Sequence, residues 1–250
     1  MAYGKNAPFG LRPLSSLNGG CWTEKTNTYY ISADAAGANT YDISIFTGDP
    51  VIWNPAIANQ GGGTIARYTF NTADQNVGND TPVIGVFMGC EYTTPDGKLV
   101  KSQFWPASTL IQAGTRIKAL VIDDPSALFT IQVSTQSNVL NGARFPYGLE
   151  GQNFGFGLAG GGAALVPNNP ADGNTRTGQS AVYLTKEFTA NADQTVATLP
   201  LKVLYHSNNV ENLENPISYV ADATTAPFLN VIVQINNHAY RPGSIGIVAA

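Results

Sequence analysis

Charged residues are scarce in this chain. Asp, Glu, Lys and Arg make up 12% of its 250 residues, about half of the roughly 25% that is usual in globular proteins. Helix bundles need charged faces and avoid Gly, Pro, Asn and Thr, whereas this sequence contains 26 Gly and 15 Pro. Disorder is excluded as well, because 43% of the residues are hydrophobic and the formal net charge is only -4. The composition therefore favours an all-β fold.

Cysteines and long apolar runs are also rare. Cys21 and Cys90 are too few for a disulfide framework, and we expect two reduced thiols, with a single bridge between them as the alternative. The longest apolar run, near Val83–Cys90, is far shorter than the roughly 20 residues of a membrane helix, and residues 1–14 lack the pattern of a signal peptide. The 13 basic residues are spread along an acidic chain. Neither a membrane nor nucleic acid is therefore an expected partner.

Motifs for catalysis and cofactor binding are weak. Gly155–Gly160 matches the dinucleotide fingerprint, but no apolar strand precedes it and prolines follow too soon for the helix that this fingerprint requires. His206 and His238 lack the spacing of metal ligands, and no GxSxG nucleophile elbow is present. Asp123-Asp124 precedes a proline and suits a turn. We assign no catalytic residue, no cofactor and no metal site, and we interpret the chain as a protein that is not an enzyme.

Short strands separated by turns are predicted for most of the chain. Thr94-Pro95-Asp96-Gly97 lies between two β-type runs, and its residue types favour a hairpin turn. Apolar and polar residues alternate over Phe129–Ser134, which is the period of a half-buried strand. About nine or ten such segments at short spacing predict an antiparallel sandwich or barrel.

The predicted organisation is an extended arm followed by one β-domain. Residues 1–20 form the arm, because Pro8 and Pro13 hold the residues before them in extended conformations. Residues 21–250 form the domain. Within it, residues 136–178 are rich in Gly and Pro and are expected to form a long loop or extension, or a boundary between two lobes.

Several short segments resemble a group of tailed-bacteriophage structural proteins. They are Asn6–Pro13, then Asn18–Gly20 with Trp22 and Tyr29–Ile31, then Phe46–Val51, then Val121–Pro125 followed by Phe129–Gln132, and finally Val233–Arg241. Within them we call Asn6–Pro13 (NAPFGLRP), Gly48–Val51 (GDPV), Asp123–Pro125 (DDP) and Ile235–Arg241 (INNHAYR) the four motif segments. They occur in the same order across nearly the whole chain. The resemblance implies a non-enzymatic virion protein with a β-fold, of the kind that decorates or cements a capsid and often forms trimers.

From this resemblance we expect a homotrimer that is made in the host cytoplasm, binds the major capsid protein and stabilises a bacteriophage capsid in the virion. The candidate capsid contacts come from the arm and from the Gly-rich stretch. They are Phe9, Leu11, Arg12, Phe154, Phe156 and Leu158. The alternative function is a carbohydrate-binding tail or surface module, in which exposed aromatic residues such as Trp53, Trp105 or Tyr147 would stack on sugar rings.

Overall fold

The computed structural model shows an all-β protein, which confirms the predicted fold class. It describes residues 8–20, 23, 25–38, 40–54, 64–68, 81–133, 150–158, 173–185, 199–206, 230–241 and 243. These residues form strands, turns and bends. Within the same ranges, no helix has the length and apolar character that a membrane crossing requires.

Sixteen strands are assigned within the described residues, and the longest has nine residues. In chain order they are β1 (Arg12–Ser16), β2 (Asn27–Ile31), β3 (Ile45–Phe46), β4 (Pro50–Trp53), β5 (Thr64–Arg67), β6 (Gly85–Thr93), β7 (Leu99–Ser102), β8 (Phe104–Trp105), β9 (Ile117–Ile122), β10 (Ala127–Gln132), β11 (Asn153–Leu158), β12 (Gly173–Asn174), β13 (Gln179–Ser180), β14 (Val182–Thr185), β15 (Leu201–His206) and β16 (Asn230–Ile235). Most of them belong to two large sheets.

The first sheet closes into a five-stranded barrel. Its strands are ordered β4-β5-β2-β9-β6, and β6 pairs back onto β4. All neighbours are antiparallel except β2 and β5, which are parallel. β7 extends the sheet beyond β6 as an edge strand. The predicted hairpin joins β6 and β7, with Gly97 in the left-handed region at φ 84° and its N–H donating to the Thr94 carbonyl at 2.9 Å.

Buried and exposed side chains alternate along the strands of this barrel, and the buried ones fill its interior. Ile117, Ala119 and Val121 of β9 are buried, whereas Lys118 and Leu120 between them face outward. Trp105 is fully buried in the same core, and its indole N–H donates to the Tyr41 carbonyl at 3.1 Å. The two-residue period of a half-buried strand thus separates an apolar interior from an outer face that is available to solvent.

The second sheet has the order β1-β10-β16-β15-β11-β14. A parallel bridge between Val133 and Leu184 brings β14 back to the end of β10, so this sheet also curves around a core of its own. Phe129, Phe154 and Val233 are among its fully buried residues. Outward-facing residues of the first barrel, such as Ile52, belong to the same apolar cluster, so the two sheets pack against each other.

The N-terminal segment is part of the second sheet. β1 pairs antiparallel with β10, with Arg12 opposite Thr130. Directly before it, Leu11 is 1% exposed and belongs to the apolar cluster between the sheets, and its N–H donates to the Gly48 carbonyl at 2.9 Å. Phe9, Leu11 and β1 are thus packed into the fold. The division of the whole chain into an arm and one domain stays a prediction, because most of residues 136–178 lie outside the described residues.

Replacement of Leu11 tests whether this segment contributes to folding. We expect Leu11→Ala to lower the free energy of unfolding by about 2–5 kcal/mol, because it opens a cavity in a packed core. Leu14 is 41% exposed, so Leu14→Ala should change that free energy by only about 0.5 kcal/mol. Urea unfolding followed by tryptophan fluorescence measures both. Equal effects of the two variants would show that Leu11 is not part of the core.

Candidate functional site

Most of the predicted capsid contacts are buried within this chain. Four of the six are apolar or aromatic side chains in the core: Phe9, Leu11, Phe154 and Phe156. Arg12 is exposed, and its guanidinium lies 4.3 Å from the centre of the Phe9 ring. The side chain of Leu158 lies outside the described part of the structure. The sequence analysis expected these side chains to contact a partner because they occur in Gly- and Pro-rich segments. In the structure, contacts with other parts of the same chain bury the four apolar ones.

The junction of the two sheets contains a buried ion pair. The Arg67 Nε lies 2.8 Å from Asp49 Oδ2, and both side chains are fully buried. Asp49 also accepts a hydrogen bond from the Phe46 N–H at 2.8 Å and one from the Ser180 hydroxyl. The same hydroxyl accepts from the Val182 N–H at 3.0 Å. One carboxylate therefore connects β4 and β5 of the first barrel with β13 and β14.

Two glycines allow the first two motif segments to touch. Gly10 and Gly48 have φ values of 71° and 94°, which side chains rarely adopt. A Cβ atom at Gly10 would lie 2.6 Å from the Gly48 carbonyl oxygen and 2.6 Å from the Ser180 Cβ. The turn before β1 and the turn before β4 thus pack backbone to backbone, beside the carboxylate of Asp49.

The last motif segment ties the end of β16 to the first barrel. The Val83 N–H donates to the Asn237 carbonyl at 2.9 Å, and the Ala239 N–H donates to the Val83 carbonyl at 2.8 Å. His238 is buried, and its Nδ1 accepts a hydrogen bond from the Tyr240 N–H at 3.1 Å. Burial, and secondarily the nearby charge of Arg241, lower the pKa of His238 to about 4. His238 is therefore neutral at pH 7.

Potential metal ligands do not cluster in the described part of the chain. No three His, Cys, Asp or Glu side chains come together there. Cys90 is a buried free thiol, and burial raises its pKa to about 12. Cys21 and the side chain of His206 lie outside the described part of the chain. Cys90 is thus protonated and unreactive at neutral pH.

A cluster of aromatic and polar side chains lies at one end of the first barrel. We call it the barrel-end cluster and define it as Asn27, Tyr29, Trp53, Asp123 and Tyr240. β9 pairs antiparallel with β2, with Asn27 opposite Val121, so the start of β2 lies beside the end of β9. Trp53, at the end of β4, contacts the Tyr29 ring. The Tyr29 hydroxyl donates to Asp123 Oδ2 at 2.7 Å. The Asn27 amide donates to both Asp123 oxygens at 2.8 Å.

Two exposed aromatic rings flank Tyr29 in this cluster. Trp53 is 41% exposed and meets the Tyr29 ring edge to face, with ring centres 5.7 Å apart. Tyr240 is 55% exposed, and its hydroxyl oxygen lies 2.8 Å from that of Tyr29. Burial, and then the hydrogen bonds to Tyr240 and Asp123, raise the pKa of Tyr29. Because the single proton of Tyr29 goes to Asp123, Tyr240 is the donor between the two hydroxyls.

The sequence analysis found only part of this cluster. It named Trp53 as a candidate for stacking on sugars, and Trp53 is exposed as that role requires. It also named Trp105 and Tyr147, with a place in the core as the other role expected for most of these aromatic residues. Trp105 is fully buried and takes that other role, and Tyr147 lies outside the described residues. Tyr29 and Tyr240 are 211 positions apart, so no local pattern relates them.

The outward side of the first barrel presents a second candidate surface. We call it the outer sheet face; it is formed by four adjacent strands, β2, β9, β6 and β7. Its outward-pointing residues are Tyr30, Glu91, Leu99, Lys101, Lys118 and Leu120. In one row across the strands, Lys118 lies beside both Tyr30 and Glu91, and Lys101 is opposite Glu91. This face therefore combines exposed leucines with an excess of positive charge.

Removal of the buried carboxylate tests the junction. We expect Asp49→Asn to lower the free energy of unfolding by about 3–5 kcal/mol, because it takes away the charge that faces the buried Arg67. Glu91→Gln removes a carboxylate from exposed ion pairs and should cost less than about 1 kcal/mol. Thermal and urea unfolding compare the variants. A loss for Asp49→Asn as small as that for Glu91→Gln would contradict a structural role of the pair.

The pH dependence of stability tests the environment of His238. The pKa of this group is about 4 in the folded chain and near 6.5 when it is unperturbed, so the unfolded state takes up the proton first as the pH falls. The stability that depends on neutral His238 is complete above about pH 6.5 and is lost as the pH falls to about 4. His238→Gln should flatten urea-unfolding free energies over this window. Identical pH slopes in the two proteins would contradict the burial of a neutral imidazole.

Comparison of this chain with protein families, with curated protein sequences and with solved structures finds no match.

Proposed function

We propose that this chain is a structural virion protein that binds the major capsid protein of a bacteriophage and stabilises the capsid. The observation that carries the proposal is the position of the four motif segments. Their described residues pack at the junction of the two sheets, around Asp49, Gly10 and His238. Proteins of one fold are expected to share the residues that determine how their sheets pack together. Segments in such positions are the ones by which a shared fold would be recognised, and this is why the resemblance carries the proposal.

The DDP segment illustrates this junction role. Asp123 holds the start of β2 through Asn27 and Tyr29. Asp124 accepts a hydrogen bond from the Ser126 N–H at 2.8 Å, which shapes the turn between the two sheets. The Pro125 carbonyl accepts one from Gln234 Nε2 at 2.9 Å. All three residues of this short segment thus make hydrogen bonds, and those of Asp123 and Pro125 join separate parts of the fold.

The outer sheet face is the surface that we propose for contact with the capsid. Leu99 is 57% exposed and Leu120 is 42% exposed, and exposed apolar side chains of this size suit the buried centre of an interface. Lys101 and Lys118 each lie 3.5 Å from Glu91, so two cations share one carboxylate. Exposed pairs of this kind contribute only about 0–1 kcal/mol. The lysines can therefore exchange Glu91 for acidic groups of the capsid protein at little cost.

The homotrimer is retained in the proposal because the resemblance implies it. Several linked copies of the outer sheet face would also bind a shell more tightly than one copy, because each later contact forms at a high effective concentration.

Addition of the purified chain to preformed heads that lack it tests the proposal. We expect the wild-type chain to cosediment with the heads, and Leu99→Asp combined with Leu120→Asp to weaken its binding at least tenfold, because both substitutions replace an exposed apolar side chain of the contact with a charge. Leu17→Asp is the matched control, since Leu17 is also exposed but follows β1 in the second sheet. Its binding should equal that of the wild type.

Mass spectrometry of purified virions and cryo-electron microscopy of their heads provide the independent check. The expected result is the chain in mature particles, as three-fold density on the outside of the shell. Absence from particles, or a wild-type chain that does not bind heads, would refute the proposed function. Equal binding by the Leu99/Leu120 variant and the Leu17 control would refute the assignment of the outer sheet face.

A further inference from the structure

The barrel-end cluster presents mainly hydrogen-bond acceptors. The Tyr29 proton goes to Asp123, one N–H of the Asn27 amide is shared between the two Asp123 oxygens, and the Tyr240 proton goes to Tyr29. Among these three donor side chains, the second N–H of Asn27 is the donor that remains, and it points away from that carboxylate. A carboxylate has about four acceptor positions, and the described contacts of Asp123 occupy three. The hydroxyl oxygen of Tyr240 keeps its lone pairs. A ligand that fits these groups therefore has to donate hydrogen bonds.

The exposed rings add an apolar requirement. The faces of Trp53 and Tyr240 carry the negative part of the aromatic quadrupole, which attracts weakly positive C–H groups. Trp53 contacts the Tyr29 ring, and Asp123 contacts the Tyr29 hydroxyl. The exposed indole and the carboxylate are thus separated by about one tyrosine side chain. A ligand that spans this distance presents C–H groups at one end and hydroxyl groups at the other.

The polar groups of the cluster suit hydroxyls better than a cation. Asp123 receives its hydrogen bonds from the neutral donors Asn27 and Tyr29, so its charge is retained. The guanidinium of Arg241 donates to the Ile235 carbonyl at 3.0 Å, and its charge acts on His238 against those of Asp123 and Asp124. An ammonium group could pair with Asp123 but only donates hydrogen bonds, whereas a hydroxyl also accepts one from the second N–H of Asn27.

We propose that the barrel-end cluster is a binding site for a neutral saccharide. The apolar face of one sugar ring stacks on Trp53 or Tyr240, and its hydroxyls donate to Asp123 and to the Tyr240 oxygen. The end of a closed barrel is a common position for a ligand site, with apolar walls and a few polar groups. This site is distinct from the outer sheet face, so it does not depend on the proposed contact with the capsid.

The test uses the full chain and an array of bacterial surface oligosaccharides and common mono- and disaccharides. The strongest glycan is then titrated by calorimetry. We expect Trp53→Ala and Tyr240→Ala each to weaken its binding at least tenfold, with urea unfolding used to show that both variants fold. Tyr240→Phe keeps the ring and removes the hydroxyl oxygen, so its loss should be smaller than that of Tyr240→Ala. Tyr205→Ala is the control, since Tyr205 is an exposed aromatic residue of the second sheet.

Three results would overturn the proposal. One is the absence of any array signal together with no saturation-transfer NMR signal from the same sugars at millimolar concentration. Another is a glycan whose affinity is unchanged by Trp53→Ala and Tyr240→Ala. The third is displacement of the glycan by choline or arginine amide, which would assign the cluster to cations. The Leu99/Leu120 variant should retain saccharide binding, so failure of this site and failure of the proposed function are distinguishable.

Discussion

Asp49 is the group on which the arrangement of this molecule depends. Its carboxylate is fully buried, and such a charge is tolerated only where ion-pair and hydrogen-bond partners surround it. Arg67, the Phe46 N–H and Ser180 supply those partners from separate parts of the chain. The ion pair itself lies within the first barrel, between the residue before β4 and a residue of β5, and the Ser180 hydroxyl is the contact that extends it to β13 and β14. A shifted junction would therefore remove a hydrogen bond from a buried charge, and the close approach of Gly10 and Gly48 beside it restricts the junction further.

The polar segments of this protein have two separate uses. Those at the junction are buried and hydrogen-bonded, and His238 is held neutral there. Most of their hydrogen-bonding groups are paired within the fold. The residues that remain available to other molecules lie on the first barrel, on the outer sheet face and in the barrel-end cluster. The separation is complete for the outer sheet face, which shares no residue with the Asp49–Arg67 ion pair. Asp123 and Tyr240 belong both to motif segments and to the barrel-end cluster, where their oxygens keep positions for a ligand.

Local patterns account for what could be predicted from the sequence. The hairpin at Thr94–Gly97 forms because Pro, Asp and Gly each favour the conformation that their position in the turn requires. The all-β class follows from the abundance of turn residues and from the period of two along strands such as β10. The capsid contacts predicted at Phe9 and Phe154 fall in the core instead. Gly and Pro near these residues indicated extended chain, but extended chain can be either an arm or a sheet strand.

The sequence by itself determined the fold class, the hairpin and the scarcity of charge, since each depends on residue types and on neighbours a few positions apart. Tertiary structure alone decided which extended segments are buried and which aromatic rings meet. Tyr29 and Tyr240 share a hydrogen bond across 211 positions, and Asp49 and Ser180 share one across 131. No local preference encodes such pairs. They exist because barrel closure and packing of the two sheets bring distant strand ends to one place.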